Sequence, residues 1–287
     1  MPIKEQDSKA SVLHGNISEL LERERRNAEQ QEICIDMLAK ELFSQKGTDA
    51  LKDIYSELCG ALCAERKARA CERLCSLAGQ TEICLEQGVF GESEDIEKEA
   101  VGRIAYVKNR RNDDVFLSFA RNVKGAKAEY VASFQDACEA VADGRCEFCI
   151  MPIENDADGK LYSFYRLLDR YDLKIQSIAK VMSDDNSQGI VFALVAGRIK
   201  VLPHERGKLR FEFSVVGEGA DILTDILAAV KSLDGAVYST ATLPVEYDAR
   251  SCRCYFAIDL SLDKTVPMAL YLSLEYHGYT PLGLYSI

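Results

Sequence analysis

The chain has 287 residues, 47% hydrophobic and 28% charged, with a formal net charge of -11. That length predicts about two domains, the composition excludes a disordered polymer, and the acidic balance excludes nucleic acid and anionic membrane as general partners. Met1 to Lys9 lack the apolar core of a secretory signal and no apolar run is long enough to span a bilayer, so the expectation is a cytoplasmic protein whose 11 cysteines are reduced and mostly buried.

In chain order, Asn16 to about Gly79 reads as helix. Ile17, Leu20, Leu21, Ala28, Ile35, Leu38 and Leu42 recur at three- and four-residue steps, with Asn16 or Ser18 as the cap. Gly47-Thr48-Asp49 breaks the helix, and a second one runs from Leu51 through Leu74. Gln80 to Glu99 is acidic and irregular, a linker ending in a short helix.

From Arg103 strands and helices alternate. The expected order is strand Ile104–Val107, helix Asp114–Asn122, strand Ala128–Val131, a helix capped by Ser133 and running to Val141, and strand Phe148–Ile153. Helix Leu161–Tyr171 and strands Leu173–Val181 and Ile190–Ala196 follow, which makes a layered α/β sheet. Beyond Pro203 to Gly207 come strand Leu209–Val216 and helix Ala220–Leu233, with Ile222, Leu223, Ile226, Leu227 and Val230 inward. Strands Ala236–Val245 and Cys252–Leu260, helix Pro267–His277 with proline in its first turn, and strand Tyr279–Tyr285 complete a βαββαβ unit of ferredoxin-like type. The domains expected are thus 1–99 (helical region and linker), 100–203 (α/β lobe) and 204–287 (βαββαβ).

The central stretch is Cys149-Ile-Met-Pro-Ile-Glu-Asn155, an apolar strand closing on polar side chains, with Gly159 after it. Strand ends of α/β sheets are where such folds hold ligands. Glu154 and Asn155 read equally as ligand contacts or as a pair that caps the following turn. His14, His204 and His277 are too scattered for a triad or a metal. Cys59, Cys63, Cys71 and Cys75 lack the knuckle spacing of a zinc site and read as core thiols, as do Cys252 and Cys254. No metal and no cofactor are expected.

Phe134-Gln-Asp-Ala-Cys-Glu-Ala-Val141, Pro152-Ile-Glu-Asn155, Gly159, Leu161 and Leu167-Leu168 together resemble the first lobe of prephenate dehydratase. The closing βαββαβ unit resembles the ACT domain that follows it in that family, down to a Leu282-Gly283-Leu284-Tyr285 ending. The resemblance implies a type II periplasmic-binding-like lobe, with Glu154, Asn155, Gly159 and Asn186 at a substrate such as prephenate. It also implies a phenylalanine effector site at Gly219, Ala220 and Pro244.

The chain departs from the family pattern where the chemistry lies. The family's Asn-x-Thr-Arg-Phe motif corresponds to Asn186-Ser-Gln-Gly-Ile190, so Gln188 and Gly189 stand in place of the hydroxyl and the cation that decarboxylative loss of water requires. The family's second lobe, inserted before that motif, has no counterpart, and Asp156 stands where the family has serine. Full-length relatives also carry an AroQ-type chorismate mutase in the place of the N-terminal helices, where Arg23, Arg26, Arg66, Arg69 and Arg73 would hold a dianion. The reading is a catalytically impaired, regulatory or aromatic-ligand-binding relative of phenylalanine biosynthesis, dimeric or hetero-associated through the ACT-like unit and the N-terminal helices. The alternatives are active dehydratase and mutase chemistry in the N-terminal helices.

Overall fold

The computed structural model describes residues 3–79, 102–182, 188–199, 208–218, 221–245 and 248–287. It divides into two compact units, 1–62 and 63–287.

The first unit is a helical hairpin. Helix α1 spans Ile3–Lys46, and after a single 3-10 turn at Thr48–Ala50 helix α2 spans Leu51–Cys59. Helix α1 starts well before the expected cap at Asn16 or Ser18, because the charged residues ahead of them are good helix formers and Gly15 costs only about 1 kcal/mol. It ends where Gly47 takes φ 73°. Lys46 Nζ then reaches Glu57 Oε2 across the hairpin at 2.6 Å. Ile35, Ala39 and Leu42 of α1 and Leu51, Ile54, Tyr55 and Leu58 of α2 are buried.

The second helix does not run on to Leu74 as expected. Gly60 follows the last residue of α2, the Leu62 N–H donates to the Cys59 carbonyl, and Cys63 is extended before helix α3 begins at Ala64–Ala78. Cys59 and Cys63 therefore do not share a helix. The expected linker from 80 to 99 lies outside the described residues.

Helix α3 belongs to the second unit, whose frame is a continuous mixed sheet. Its strands are β1 (Arg103–Val107), β2 (Lys127–Val131), β3 (Phe148–Asn155), β4 (Gly159–Lys160), β5 (Lys174–Met182), β6 (Gly189–Ala196), β7 (Lys208–Glu218), β8 (Ala236–Val245), β9 (Asp248–Ser261) and β10 (Tyr279–Ser286). They lie in the order β2-β1-β3-β6-β5-β10-β7-β9-β8, with β4 beside β3. The helices are α4 (Arg110–Ala120), α5 (Phe134–Ala142), α6 (Tyr162–Arg170), α7 (Asp221–Ser232) and α8 (Leu262–Glu275).

Strand β3 is buried on both faces, which explains its apolar run. Cys149, Met151 and Ile153 meet α5 and α6 through Cys138, Val141, Tyr165 and Leu168, while Phe148 and Ile150 meet α4 through Val115 and Phe119. Helix α4 begins four residues earlier than expected because the Asn109 side chain caps it, accepting the Asn112 N–H at 2.8 Å. Ser133 caps α5 as expected, its Oγ accepting the Asp136 N–H at 3.1 Å.

The βαββαβ order is present as β7-α7-β8-β9-α8-β10, with sheet order β10-β7-β9-β8 and every neighbouring pair antiparallel. Two details differ from expectation. Leu227 is exposed on α7 rather than inward. Helix α8 starts at Leu262, which places Pro267 inside it instead of in its first turn. Helix α3 packs against α7 and α8, with Lys67 Nζ on Glu275 Oε2 at 2.6 Å and Lys264 paired to Glu72.

Within the sheet, the lobe and the βαββαβ unit join through one strand pair. Strand β10 pairs parallel with β5 through the single register Gly283 to Ile175. A Cβ on residue 283 would lie 2.6 Å from the Ile175 Cβ and 3.1 Å from its carbonyl oxygen, so only glycine lets the halves share a sheet.

Candidate functional site

The end of β3 is shaped by proline. Pro152 sits in a central strand, where its missing N–H is accommodated by a register shift against β6 between Pro152 and Glu154. That bulge sets the direction of Glu154 and Asn155.

Asn155 is committed to the turn between β3 and β4. Its Oδ1 accepts the N–H groups of Ala157 at 3.0 Å and Asp158 at 2.5 Å, and its Nδ2 donates to Asp158 Oδ2 at 2.9 Å. This is an Asx turn, which needs no ligand. Gly159 closes the turn with φ 69°.

Asp156 occupies the adjoining space. Its carboxylate accepts from Lys180 Nζ at 2.7 Å and from the Gly189 N–H at 2.8 Å. Those two donors, Lys180 first, hold its carboxyl below the usual carboxylate range. Gly189 is buried and pairs with Met182, so β5 and β6 adjoin as antiparallel neighbours through the short connection 183–188. A Cβ at residue 189 would meet Lys180 Cε at 2.2 Å and Asp156 Oδ2 at 2.8 Å. A side chain there would have to push aside the half-exposed ends of Lys180 and Asp156. Gln188 is exposed beside it.

Glu154 turns toward the βαββαβ unit. Its Oε1 accepts the Tyr238 hydroxyl at 2.8 Å, and its Oε2 lies 3.9 Å from Lys160 Nζ. The hydrogen bond to Glu154, followed by burial, pushes the Tyr238 phenol up. The Arg210 guanidinium stacks 3.4 Å from the Tyr238 ring centre while forking onto Asp259 at 2.8 and 3.1 Å.

Lys160 and Glu212, with side chains 7% and 2% exposed, form the innermost ion pair at 2.5 Å. Lys160 Nζ also donates to the Tyr165 hydroxyl at 2.7 Å, and that hydroxyl donates to Glu212 Oε2 at 2.6 Å. Tyr285 donates to the other oxygen of Glu212. Burial and the Glu212 charge push both phenols well above their ordinary range. Beside this network is a cavity of about 10 Å³ lined by Lys160, Tyr162, Tyr165, Glu212, Ser239 and Tyr255, among others. That space is about the size of one water molecule. Chemically, the network neutralises its own charges and ties the lobe (Lys160, Tyr165) to the second half (Glu212, Tyr285).

The structure thus brings Glu154, Asn155, Gly159 and Gly189 to one end of the β3/β6 pair, but uses their polar groups internally. Asn186, Gly219 and Ala220 lie outside the described residues. Pro244 is exposed on β8 opposite Cys252. Of the arginines weighed for a dianion, Arg23 and Arg26 lie 2.9 and 3.8 Å from Glu19 and Glu22, and Arg69 lies 2.9 Å from Glu72. Among the described residues no group of three His, Cys, Asp or Glu side chains could hold a metal ion, and all ten cysteines are free.

Sequence reasoning missed Lys160, Glu212 and Tyr238. In β7, Arg210, Glu212 and Ser214 alternate with Leu209, Phe211, Phe213 and Val215, a pattern that suggests one solvated face. The polar face is instead buried by the lobe, and only the nearby Tyr285 of the Leu-Gly-x-Tyr ending hinted at it.

A sheet lobe with helices on both faces, continued by a ferredoxin-like unit, is a fold shared with solved prephenate dehydratases. The chain resembles the prephenate dehydratase of Streptococcus mutans (15% identity, TM-score 0.50, covering 64% of this chain and 97% of that one). It also resembles that of Arthrobacter aurescens, solved in complex with L-Phe (13%, 0.54, 64% and 90%). A third similar structure is GqqA, described as a novel type of quorum quenching acylase (18%, 0.51, 64% and 95%). At such identities these likenesses establish fold. No curated protein sequence matches the chain. The sequence model of the prephenate dehydratase family matches residues 114–182, from α4 to the end of β5. No helix among the described residues is long and apolar enough to cross a membrane.

Proposed function

We propose that the chain is a relative of the phenylalanine-forming dehydratase that does not turn over prephenate and acts in the cytoplasm as a regulatory, aromatic-ligand-binding protein of aromatic amino-acid biosynthesis. The observation that carries this is the closed corner at Asp156, Lys180 and Gly189. The family resemblance puts a hydroxyl and a cation at 188 and 189, where this chain has Gln188 and a glycine over which the Asp156–Lys180 pair lies. Lys180 brings a cation to the same corner, but Asp156 neutralises it. A developing negative charge beside Gly189 would meet a cation already paired with a carboxylate, not one held for a transition state. The short 183–188 connection leaves no place for a second lobe between β5 and β6, so the substrate-side surface has one wall. The βαββαβ unit is then the ACT-like regulatory part, and the L-Phe complex of a similar dehydratase makes phenylalanine the first ligand to try.

The test is prephenate and chorismate turnover by the purified full chain, with thermal-shift titrations of phenylalanine, tyrosine and prephenate. The expected result is a saturable upward shift with an aromatic ligand, following RT ln(1 + [L]/Kd), and no turnover. Prephenate loss that disappears in Glu154→Ala overturns the proposal.

A further inference from the structure

We propose that Cys252 and Cys254 of β9 form a site for a thiophilic divalent metal ion of the zinc class, completed by the Thr242 hydroxyl and the Gly217 carbonyl. Alternate residues of a strand stand on one face, and the two Sγ atoms lie 3.8 Å apart. Arg253 between them points the other way, to Asp169 and Ser214. Each sulfur has an oxygen from a different neighbouring strand beside it. The Gly217 carbonyl of β7 is 3.5 Å from Cys252 Sγ, and Thr242 Oγ1 of β8 is 3.6 Å from Cys254 Sγ. Sheet register sets these contacts, with Gly217 opposite Cys252 and Thr242 opposite Cys254.

Two thiols so close suggest core packing or a disulfide. Strand geometry opposes the disulfide. It needs Cβ atoms about 3.5–4.5 Å apart, whereas alternate residues of a strand are about 6.6 Å apart, and β9 keeps its register with β7 throughout. A metal ion spans that gap. Two bonds of about 2.3 Å at the tetrahedral angle place sulfurs about 3.8 Å apart, and an oxygen bound at about 2.1 Å lies about 3.6 Å from each sulfur. The three separations in the fold match three edges of that tetrahedron. Access follows from burial: Cys254 is 3% exposed, but Cys252 is only half-buried, so an ion reaches the pair from the rim of the sheet. Gly217 puts no side chain beside Cys252, and a Cβ there would lie 2.3 Å from Ile222 Cδ1. Two thiolates balance a divalent charge, and sulfur donors select zinc or cadmium over magnesium and calcium.

Cadmium is the probe, because its thiolate charge-transfer absorption reports sulfur ligation. The full chain, reduced and desalted, is compared with Cys252→Ser/Cys254→Ser, which keeps the other cysteines. Native mass spectrometry is expected to find one more cadmium ion on the wild-type chain than on the variant, displaced by zinc and not by magnesium, with a correspondingly stronger charge-transfer band. On the wild type alone, cadmium is expected to block alkylation of Cys252 by iodoacetamide, and a chelator to restore it, a readout that does not depend on how the variant folds. Equal cadmium stoichiometry in the two proteins, or alkylation of Cys252 unchanged by cadmium, overturns the proposal.

Discussion

Replacing Lys160 with methionine would remove the one cation from a set of buried groups and leave Glu212 charged with its side chain 2% exposed. Breaking a buried ion pair from one side costs about 3–5 kcal/mol, because the remaining charge is stranded. Tyr165 and Tyr285 still donate to Glu212, so we expect the lower end, about 3 kcal/mol. For a unit of this size that corresponds to a fall of about 6–12 °C in Tm. Urea unfolding measures the loss, and Lys160→Met/Glu212→Leu is expected to recover most of it, since an apolar pair of similar volume replaces a buried ion pair at little cost. A single-variant deficit below about 1 kcal/mol would refute the reasoning.

Three further outcomes are expected. Gly283→Ala forces β10 away from β5, since its Cβ would fall 2.6 Å from the Ile175 Cβ; a loss of about 1–3 kcal/mol should appear as a lower urea midpoint, and an unchanged midpoint would mean that the seam is not tight. Tyr165 and Tyr285 keep their protons in the fold while the unfolded chain releases them near pH 10. Stability contributed there is full below about pH 10 and is lost as pH rises further, so these two are among the tyrosines that should ionise only on unfolding, and titration of all 13 with the fold intact would contradict the burial. Ser133→Ala removes the α5 cap and should cost about 1 kcal/mol by the same melts.

Most elements were legible because burial leaves a period in the sequence: β3 as an apolar run, α5 through Ser133 and its apolar face, and the βαββαβ unit through alternation and order. Element edges were harder. Asn109 as a cap and the break at Gly60 depend on one backbone conformation each, which hydrophobic spacing does not encode. In the candidate site, Glu154 and Asn155 stood out by their place at a strand end, but their partners did not. Tyr238 is 84 residues from Glu154 in sequence and Glu212 is 52 from Lys160, and a polar side chain on an alternating strand looks the same whether water or another part of the fold covers it. The ion pair lying over Gly189 was likewise invisible, since Lys180 comes from the neighbouring strand.

The position of β10 has a consequence for how the chain is made. It lies between β5 and β7, yet it is synthesised after both. As the chain grows at about 5–20 residues per second, β5 and β7 each wait with an unpaired edge until residues 279–286 emerge. Open edges of that kind are templates for pairing with other chains. Cells depleted of chaperones should therefore accumulate this protein in aggregates seeded at β5 and β7, and a chain stopped before Tyr279 should aggregate more readily than one lacking any single helix.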